Sequence, residues 1–342
     1  MSVFVSGATG FIAQHIVSLL LEQNYKVFGS ARSEEKANKL MTNFGNNPNL
    51  TMVIIPDISK LDAFHDAFKI YGREIKYVLH TASPFSFVAE NIEKDFLIPA
   101  KNGTLGILES IKLYAADTVE RVVVTSSFAA IMDLRKILDK TATFNESTWN
   151  PDTWETCQID ASFGYNGSKK IAEEAAWNFL KENGDFVKFK LSTVNPVLVF
   201  GPQTFDSDIK STLNTSCEVI NRCLNAKPDS PVSNFSSQFI DVRDVAKAHL
   251  YAFQNDNTIG KRLFMVNGDF NEQDIFNCLN ADFQSLTGKI PIGVPSNGVL
   301  GTQMGAFIDN TKTREILGFE FTTFEKSVHD TAEQILKRQG KF

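Results

Sequence analysis

Cysteine is scarce: a chain of 342 residues holds four, Cys157, Cys217, Cys223 and Cys278, with no C-x-x-C spacing. That excludes a disulfide framework and a thiolate metal cluster, and leaves reduced thiols serving as small apolar side chains. The five histidines, His15, His65, His80, His249 and His329, include no i,i+4 pair, so no metal site is expected. Charge of one sign is never concentrated, and 34 basic against 40 acidic residues give 34 − 40 = −6. A nucleic-acid-binding face needs a dense basic footprint, so no such partner is expected. No apolar run reaches the length of a membrane span, and Met1-Ser2-Val3-Phe4-Val5 carries no charged leader. A cytoplasmic protein without membrane contact is the expectation. Tyrosine is rare beside phenylalanine, 6 against 29, so most of the rings belong to the core.

What is present is a strand-to-helix junction rich in glycine. Val3-Phe4-Val5-Ser6 reads as a buried strand, and Ile12, Ile16, Leu19 and Leu20 recur at helical spacing. Between them lies Gly7-x-x-Gly10-x-x-Ala13, the pattern of a dinucleotide-binding turn in its required context. Gly7 permits the tight turn, Gly10 lets backbone approach a pyrophosphate, and Ala13 keeps the helix near the sheet. Gly7, Thr9, Gly10, Phe11 and Ile12 are the expected contacts, helped by the helix amino terminus. The next strand, Tyr25–Gly29, runs into Ser30-Ala31-Arg32-Ser33 with no acid at its end. An NAD site places an acid there for the ribose hydroxyls. Arg32 and Lys36 suit a 2′-phosphate instead, so NADPH is expected over NADH, with Glu34 and Glu35 turned to solvent.

Strands follow at Met52–Asp57, Tyr77–His80 and Arg121–Thr125, with helices over Leu61–Tyr71 and about Asn91–Ala115. Asp57 and Ile58 fall where the adenine is expected, and Thr81 and Ala82 fall beside the cofactor groove. The alternation predicts an α/β fold, a Rossmann-type doubly wound parallel sheet with a smaller C-terminal substrate domain. Residues 1–196, with a returning segment 238–257, are assigned to the nucleotide-binding domain. Residues 197–237 and 258–342 are assigned to the substrate domain. A helix over Asn271–Phe283, an extended Ile290–Pro295 and a capping box at Thr322-Thr-Phe-Glu325 are expected within it. That box opens a helix with Phe324, Val328, Ala332 and Ile335 on one face.

Tyr165 and Lys169 stand four residues apart, one helical turn, where a cation can tune a phenol toward proton transfer. With Gly7-x-x-Gly10-x-x-Ala13 and Ser127, this Tyr165-x-x-x-Lys169 resembles the extended short-chain dehydrogenase/reductase superfamily. His80-Thr-Ala-Ser-Pro84, Val124-Thr-Ser-Ser127, Asn195-Pro196 with Val199-Phe-Gly-Pro202, and Phe239-Ile-Asp-Val-Arg-Asp-Val245 are similar to its dihydroflavonol-reductase-like branch. Val5-Ser-Gly-Ala, Phe11-Ile-Ala-Gln-His15 and Lys112-Leu-Tyr-Ala-Ala-Asp117 narrow the likeness to the fungal NADPH-dependent aldehyde and ketone reductases.

The resemblance implies an NADPH-dependent carbonyl reductase in which Tyr165 donates a proton, Lys169 lowers its pKa and binds the nicotinamide ribose, and Ser127 polarises the carbonyl. It adds Pro196, Val199 and Ser216 as cofactor contacts, and Phe85, Phe128, Met132 and Leu198 as pocket wall. Phe128 and Leu198 are apolar where some relatives carry tyrosine, so hydrophobic aldehydes and aryl ketones are expected ahead of methylglyoxal. The alternatives are a nucleotide-sugar epimerase or dehydratase, a dihydroflavonol or 3β-hydroxysteroid dehydrogenase, and a non-enzymatic NADPH-binding sensor. The missing acid after the second strand weighs against the first, and the presence of Ser127, Tyr165 and Lys169 together weighs against the sensor. The only other partner expected is a second copy of the chain, the protein working as a monomer or homodimer.

Overall fold

The computed structural model describes residues 1–83, 90–292 and 305–341. The chain opens on β1 (Ser2–Ser6), α1 (Phe11–Glu22), β2 (Lys26–Ala31), α2 (Glu34–Asn43) and β3 (Leu50–Ile54). It continues through α3 (His65–Tyr71), β4 (Tyr77–His80), α4 (Ile98–Tyr114), β5 (Arg121–Thr125) and β6 (Thr143–Phe144). Then come α5 (Ala161–Asn183), β7 (Lys190–Pro196), β8 (Leu198–Phe200), α6 (Thr215–Leu224), β9 (Ser236–Asp241) and α7 (Val242–Gln254). The remainder holds β10 (Arg262–Met265), β11 (Asp269–Asn271), α8 (Glu272–Asp282), β12 (Phe307–Ile308), α9 (Thr311–Leu317) and α10 (Phe324–Arg338).

Seven strands form one parallel sheet in the order β10-β7-β5-β4-β1-β2-β3. The strand order reverses between β1 and β4, and that switch opens a crevice at the carboxyl ends of the strands. All five residues of β1 are buried, as apolar parallel strands require when helices cover both faces. One face packs Ile16 and Leu20 of α1 against Val245 and Phe253 of α7. The other packs Phe4, Phe64, Phe68, Ile107 and Phe179. The doubly wound architecture is the expected one.

The expected division of the chain needs correction at two strands. β9 does not return to the large sheet; it pairs with β8 and β11 in a three-stranded sheet, and only α7 after it packs on the main body. Conversely β10, assigned to the substrate domain, is an edge strand of the large sheet, with Arg262–Met265 beside Thr193–Pro196. The small sheet and α6, α8 and α10 enclose a phenylalanine core, with ring centroids 4.9 Å apart for Phe200–Phe270 and 5.0 Å for Phe239–Phe324. Each such pair contributes about 0.5–1.5 kcal/mol beyond burial, which accounts for part of the phenylalanine excess.

Local chemistry explains the shifted boundaries. Residues Glu93–Leu97 wind as a π-turn, with Ile98 N–H reaching the Glu93 carbonyl, before α4 starts beside Pro99. Proline has no N–H to give, and the helix expected from about Asn91 forms with this widened first turn running directly into α4. The helix expected from Leu61 starts only at His65, because Ala63 and His65 close three-residue turns onto Lys60 and Asp62. Thr323, not Thr322, caps α10 by accepting Lys326 N–H at 3.3 Å; Thr322 N–H is taken by Asp244 Oδ2 at 2.7 Å. The capping box from Thr322 to Glu325 is therefore one residue out. α8 carries a reciprocal box between Asn271 and Asp274. Of Ile290–Pro295, residues 293–295 lie outside the described residues. Cys157, Cys217 and Cys223 are buried, and burial pushes their thiols up to about 11, 12 and 12, out of the reactive range. Among the described residues no helix is long and apolar enough to cross a membrane.

Two buried histidines are built in as neutral rings. Ser6 Oγ accepts Thr81 and Ala82 N–H, each at 3.0 Å, so its own proton goes to His80 Nδ1 at 2.9 Å. His249 Nδ1 donates to the Val245 carbonyl at 2.8 Å, and Nε2 accepts from the Thr125 hydroxyl at 2.7 Å. Burial pushes both imidazoles down to about 4. In the unfolded chain they titrate near 6.5, so as pH falls from about 6.5 to 4 the unfolded state takes up protons that the folded state refuses. Stability is lost over that window, by on the order of 2–3 kcal/mol per histidine. Asp244, raised to about 6 mainly by burial, works the opposite way, its contribution being lost as pH rises through that value. Urea titrations from pH 7 to pH 4.5 should show falling stability, and His249→Gln should flatten the fall; an unchanged slope in the variant contradicts this assignment.

Candidate active site

The nucleotide end of the crevice is shaped by the turn after β1. Gly7 sits at φ 65°, and a Cβ there would lie 3.0 Å from Ala82 Cα. Its N–H donates to Ser30 Oγ at 2.9 Å, and Ala8 N–H to the Ser30 carbonyl at 2.8 Å, tying the turn to β2. A Cβ on Gly10 would stand 3.2 Å from the Gly7 carbonyl. Gly10 caps α1 without a side chain, and no acid occupies the first turn, so the leading N–H groups are left to an anion. Ala13 is buried beneath, as expected for close helix–sheet packing.

From this turn a groove runs past Thr9 to Arg32 and Lys36, then Asp57 and Ile58, with Thr81 and Ala82 opposite. Glu34 and Glu35 are exposed in the first turn of α2 and do not line it. Asp57 accepts the Ser59 hydroxyl at 2.6 Å and N–H at 2.9 Å, and these bonds hold its carboxyl below the ordinary range. Phe11 lines an adjoining cleft beside Lys36, and Ile12 points toward the second cavity. The donor set (bare helix N–H groups, two glycines where a Cβ would intrude, and two cations where an acid would select NAD) fits a phosphorylated dinucleotide.

Thr81 and Ser83 line both this groove and a second cavity of about 450 Å³, so the two adjoin. Ser127, Tyr165 and Lys169 all open into that cavity, which Pro196, Val199 and Ser216 also line. Phe128, Met132 and Leu198 belong to the same lining; Phe85 lies outside the described residues. Ser216 is held there by accepting Val199 N–H at 3.2 Å. Phe128 stacks on Phe264 at 5.2 Å, so it is fixed packing as well as lining.

α5 delivers the tyrosine and lysine. Asp160 caps it by accepting Phe163 N–H at 3.0 Å, and the helix lies so close to the preceding loop that a Cβ on Gly167 would fall 1.9 Å from Cys157 Sγ. Lys169 Nζ donates to Ser83 Oγ at 2.7 Å and stands 5.2 Å from the Tyr165 ring centre. Both side chains are half-buried by surface, but protein crowds their polar ends. Burial pushes the ammonium down to about 8 and the phenol up to about 12. The expectation that Lys169 brings the phenol below its ordinary value is corrected: desolvation of the phenolate dominates in this geometry. Tyr165 is thus held as a protonated donor through neutral pH, and Lys169 is the first of the pair to titrate. Ser127 Oγ accepts Ala129 N–H at 3.2 Å, which leaves its own proton to be donated.

Several lining groups were not expected. Leu134, Ile137 and Leu138 extend the apolar wall, while Gln238 and Asp269 stand on a polar side. The former lie in a stretch without periodicity, so nothing in the sequence assigned them a face. Ser83 and the buried Glu173 beneath the site were also missed. Glu173 follows Lys169 by one turn, and that spacing was the available signal.

A model of the NAD dependent epimerase/dehydratase family matches residues 3–268. The chain belongs to this family. Within the epimerase/dehydratase family it is 57% identical, over 100% of both chains, to the NADPH-dependent methylglyoxal reductase of Saccharomyces cerevisiae. The crystal structure of yeast methylglyoxal/isovaleraldehyde reductase complexed with NADPH matches at a TM-score of 0.97, covering 100% of each chain with 57% identity. The Candida albicans Gre2 structure in complex with NADPH matches at 0.94, with 45% identity and 99% of each chain covered.

The order of titration at this family site has a measurable consequence. If the Lys169 charge is needed and Tyr165 stays protonated far above it, kcat/KM for carbonyl reduction should fall tenfold per pH unit above about 8. Lys169→Arg, which keeps its charge, should remove that limb while lowering the plateau. A profile flat to pH 10 in the unsubstituted enzyme contradicts the assignment.

Proposed function

We propose that the protein is an NADPH-dependent carbonyl reductase, converting aldehydes and ketones to alcohols with Ser127, Tyr165 and Lys169 as its catalytic residues. One observation carries the reading: a serine hydroxyl with a proton to give, a protonated phenol and a half-buried ammonium share a cavity adjoining a groove suited to a phosphorylated dinucleotide. The likeness to NADPH-bound reductases over whole chains supports it. The family also contains epimerases and dehydratases, but the β2 end carries Arg32 where an NAD-selective acid would stand.

NADPH, when bound, supplies the hydride. The chain's own groups act on the other partner. Ser127 and Tyr165 donate to the carbonyl oxygen, where negative charge builds during reduction. Tyr165 then gives up its proton, and the Lys169 ammonium stabilises the phenolate left behind while holding the nicotinamide ribose hydroxyls. Arg32 and Lys36 pair with the 2′-phosphate, the α1 amino terminus with the pyrophosphate, and Asp57 and Ile58 border the adenine. Pro196, Val199 and Ser216 support the nicotinamide. Phe128, Met132 and Leu198, joined by Leu134, Ile137 and Leu138, give the acyl side an apolar wall. Desolvation by that wall favours hydrophobic carbonyls. Within this proposal the enzyme works in the cytoplasm, as a monomer or homodimer.

The test is NADPH oxidation by the purified protein with isovaleraldehyde, an aryl ketone and methylglyoxal. NADPH should support turnover and NADH at least tenfold less, with kcat/KM higher for the two hydrophobic carbonyls than for methylglyoxal. Ser127→Ala should lower kcat by about 10²–10³. NADPH binding without turnover of any of the three overturns the reductase reading. Equal or better turnover of methylglyoxal overturns the substrate preference alone.

A further inference from the structure

Beneath the site, one turn past Lys169, α5 buries a carboxylate: Glu173 is 1% exposed and bonded on every side. Its Oε2 accepts from the Ser126 hydroxyl at 2.5 Å, Asn195 Nδ2 at 2.7 Å and Arg262 Nη2 at 3.3 Å. Its Oε1 accepts from Arg262 Nε at 2.6 Å and Trp177 Nε1 at 3.2 Å, with Thr193 Oγ1, whose single proton lies nearer Asn195 Oδ1 at 2.8 Å, 3.1 Å away. Arg262, itself buried, also donates to the Ala130 carbonyl at 3.1 Å, and Asn195 Nδ2 reaches the Ser127 carbonyl at 3.3 Å.

Three of these groups adjoin pieces of the active site. Ser126 precedes Ser127 at the end of β5, Asn195 precedes Pro196 at the end of β7, and Ala130 closes the turn that carries Phe128. Glu173 rides on the helix that carries Tyr165 and Lys169, and Arg262 comes from the edge strand β10. A buried ion pair adds little net stability over an apolar replacement of the same volume, since both charges must be desolvated. What it imposes is geometry, because a helix that slides or rolls breaks charged bonds to three strands at once. A misplacement of about 1 Å between reacting groups costs on the order of 10²-fold in rate.

We propose that Glu173 and Arg262, through Ser126 and Asn195, are positioning residues that hold the Tyr165 phenol in register with the Ser127 hydroxyl. The proposal rests on the reductase reading above. It is tested by measuring, for each variant, NADPH Kd and binding stoichiometry by fluorescence, Tm, substrate KM, and kcat per NADPH-binding site. Glu173→Gln, which keeps the shape and removes the charge, should bind NADPH within about threefold of the unsubstituted enzyme, leave KM within about threefold, and lower kcat per site about 10- to 100-fold. Ser126→Ala should lower kcat three- to tenfold with Tm nearly unchanged, and Ser126→Thr, which restores a hydroxyl, should recover most of it. This second pair decides the matter if Glu173→Gln does not fold. Unsubstituted-level kcat per site in Ser126→Ala, or a loss that Ser126→Thr does not rescue, overturns the positioning role while the reductase reading stands. An unsubstituted protein that binds NADPH and reduces no carbonyl overturns that reading, and this proposal with it.

Discussion

Holding an ammonium where water is scarce is the constraint on which this structure turns. Lys169 loses part of its hydration at the carboxyl edge of the sheet, and its pKa falls toward 8 as a result. The Ser83 hydroxyl replaces some of that lost solvent, and Ser83 belongs to a loop pinned to β1 through Ser6, which accepts from the Thr81 and Ala82 N–H groups. The same loop presses Ala82 against Gly7, so the dinucleotide turn and the lysine's partner are parts of one packed unit. Desolvation acts on the neighbouring phenol in the opposite sense and keeps it protonated. Acid and cation are therefore set by one cause, enclosure, more than by their attraction for each other.

The fold supplies that enclosure cheaply. A parallel sheet whose strand order reverses between β1 and β4 must leave a crevice at its carboxyl ends, and Gly7, Thr81, Ser127 and Pro196 all come from a strand end or the first residues beyond one. α5 packs beside α4, and its close seating at Gly167 and its buried Glu173 fix where it carries Tyr165 and Lys169. The small three-stranded sheet contributes Leu198 and Gln238 to the cavity, and α6, packed on the same phenylalanine core, contributes Ser216.

Local signals made much of this legible in the sequence. Gly7-x-x-Gly10-x-x-Ala13 specifies its turn through backbone geometry, which is a property of the residues themselves, and the cations Arg32 and Lys36 face the groove as their place after β2 implied. Tyr165-x-x-x-Lys169 places two groups on one helix face by periodicity alone. What could not be read was decided by partners distant in the chain. Asp244 takes the Thr322 N–H and moves the cap of α10 by one residue. Arg262 finds Glu173 across 89 positions and draws β10 into the large sheet. The phenol's direction of shift is not legible either, because sequence spacing shows the nearby cation but not the protein that buries both groups. Pro99 is the exception: its missing N–H was visible, and the helix that periodicity extends through it opens on a π-turn at Glu93–Leu97.

The most direct test of the account is the Tyr165→Phe variant, compared with the unsubstituted enzyme for both NADPH binding and turnover of isovaleraldehyde. If the phenol is the proton donor in a site that is otherwise complete, the variant should bind NADPH stoichiometrically, with Kd within a few-fold, and lose at least 10²-fold in kcat. Retention of kcat within a few-fold, with the cofactor still bound, would contradict the assignment of Tyr165 and with it the chemistry derived from the burial of Lys169.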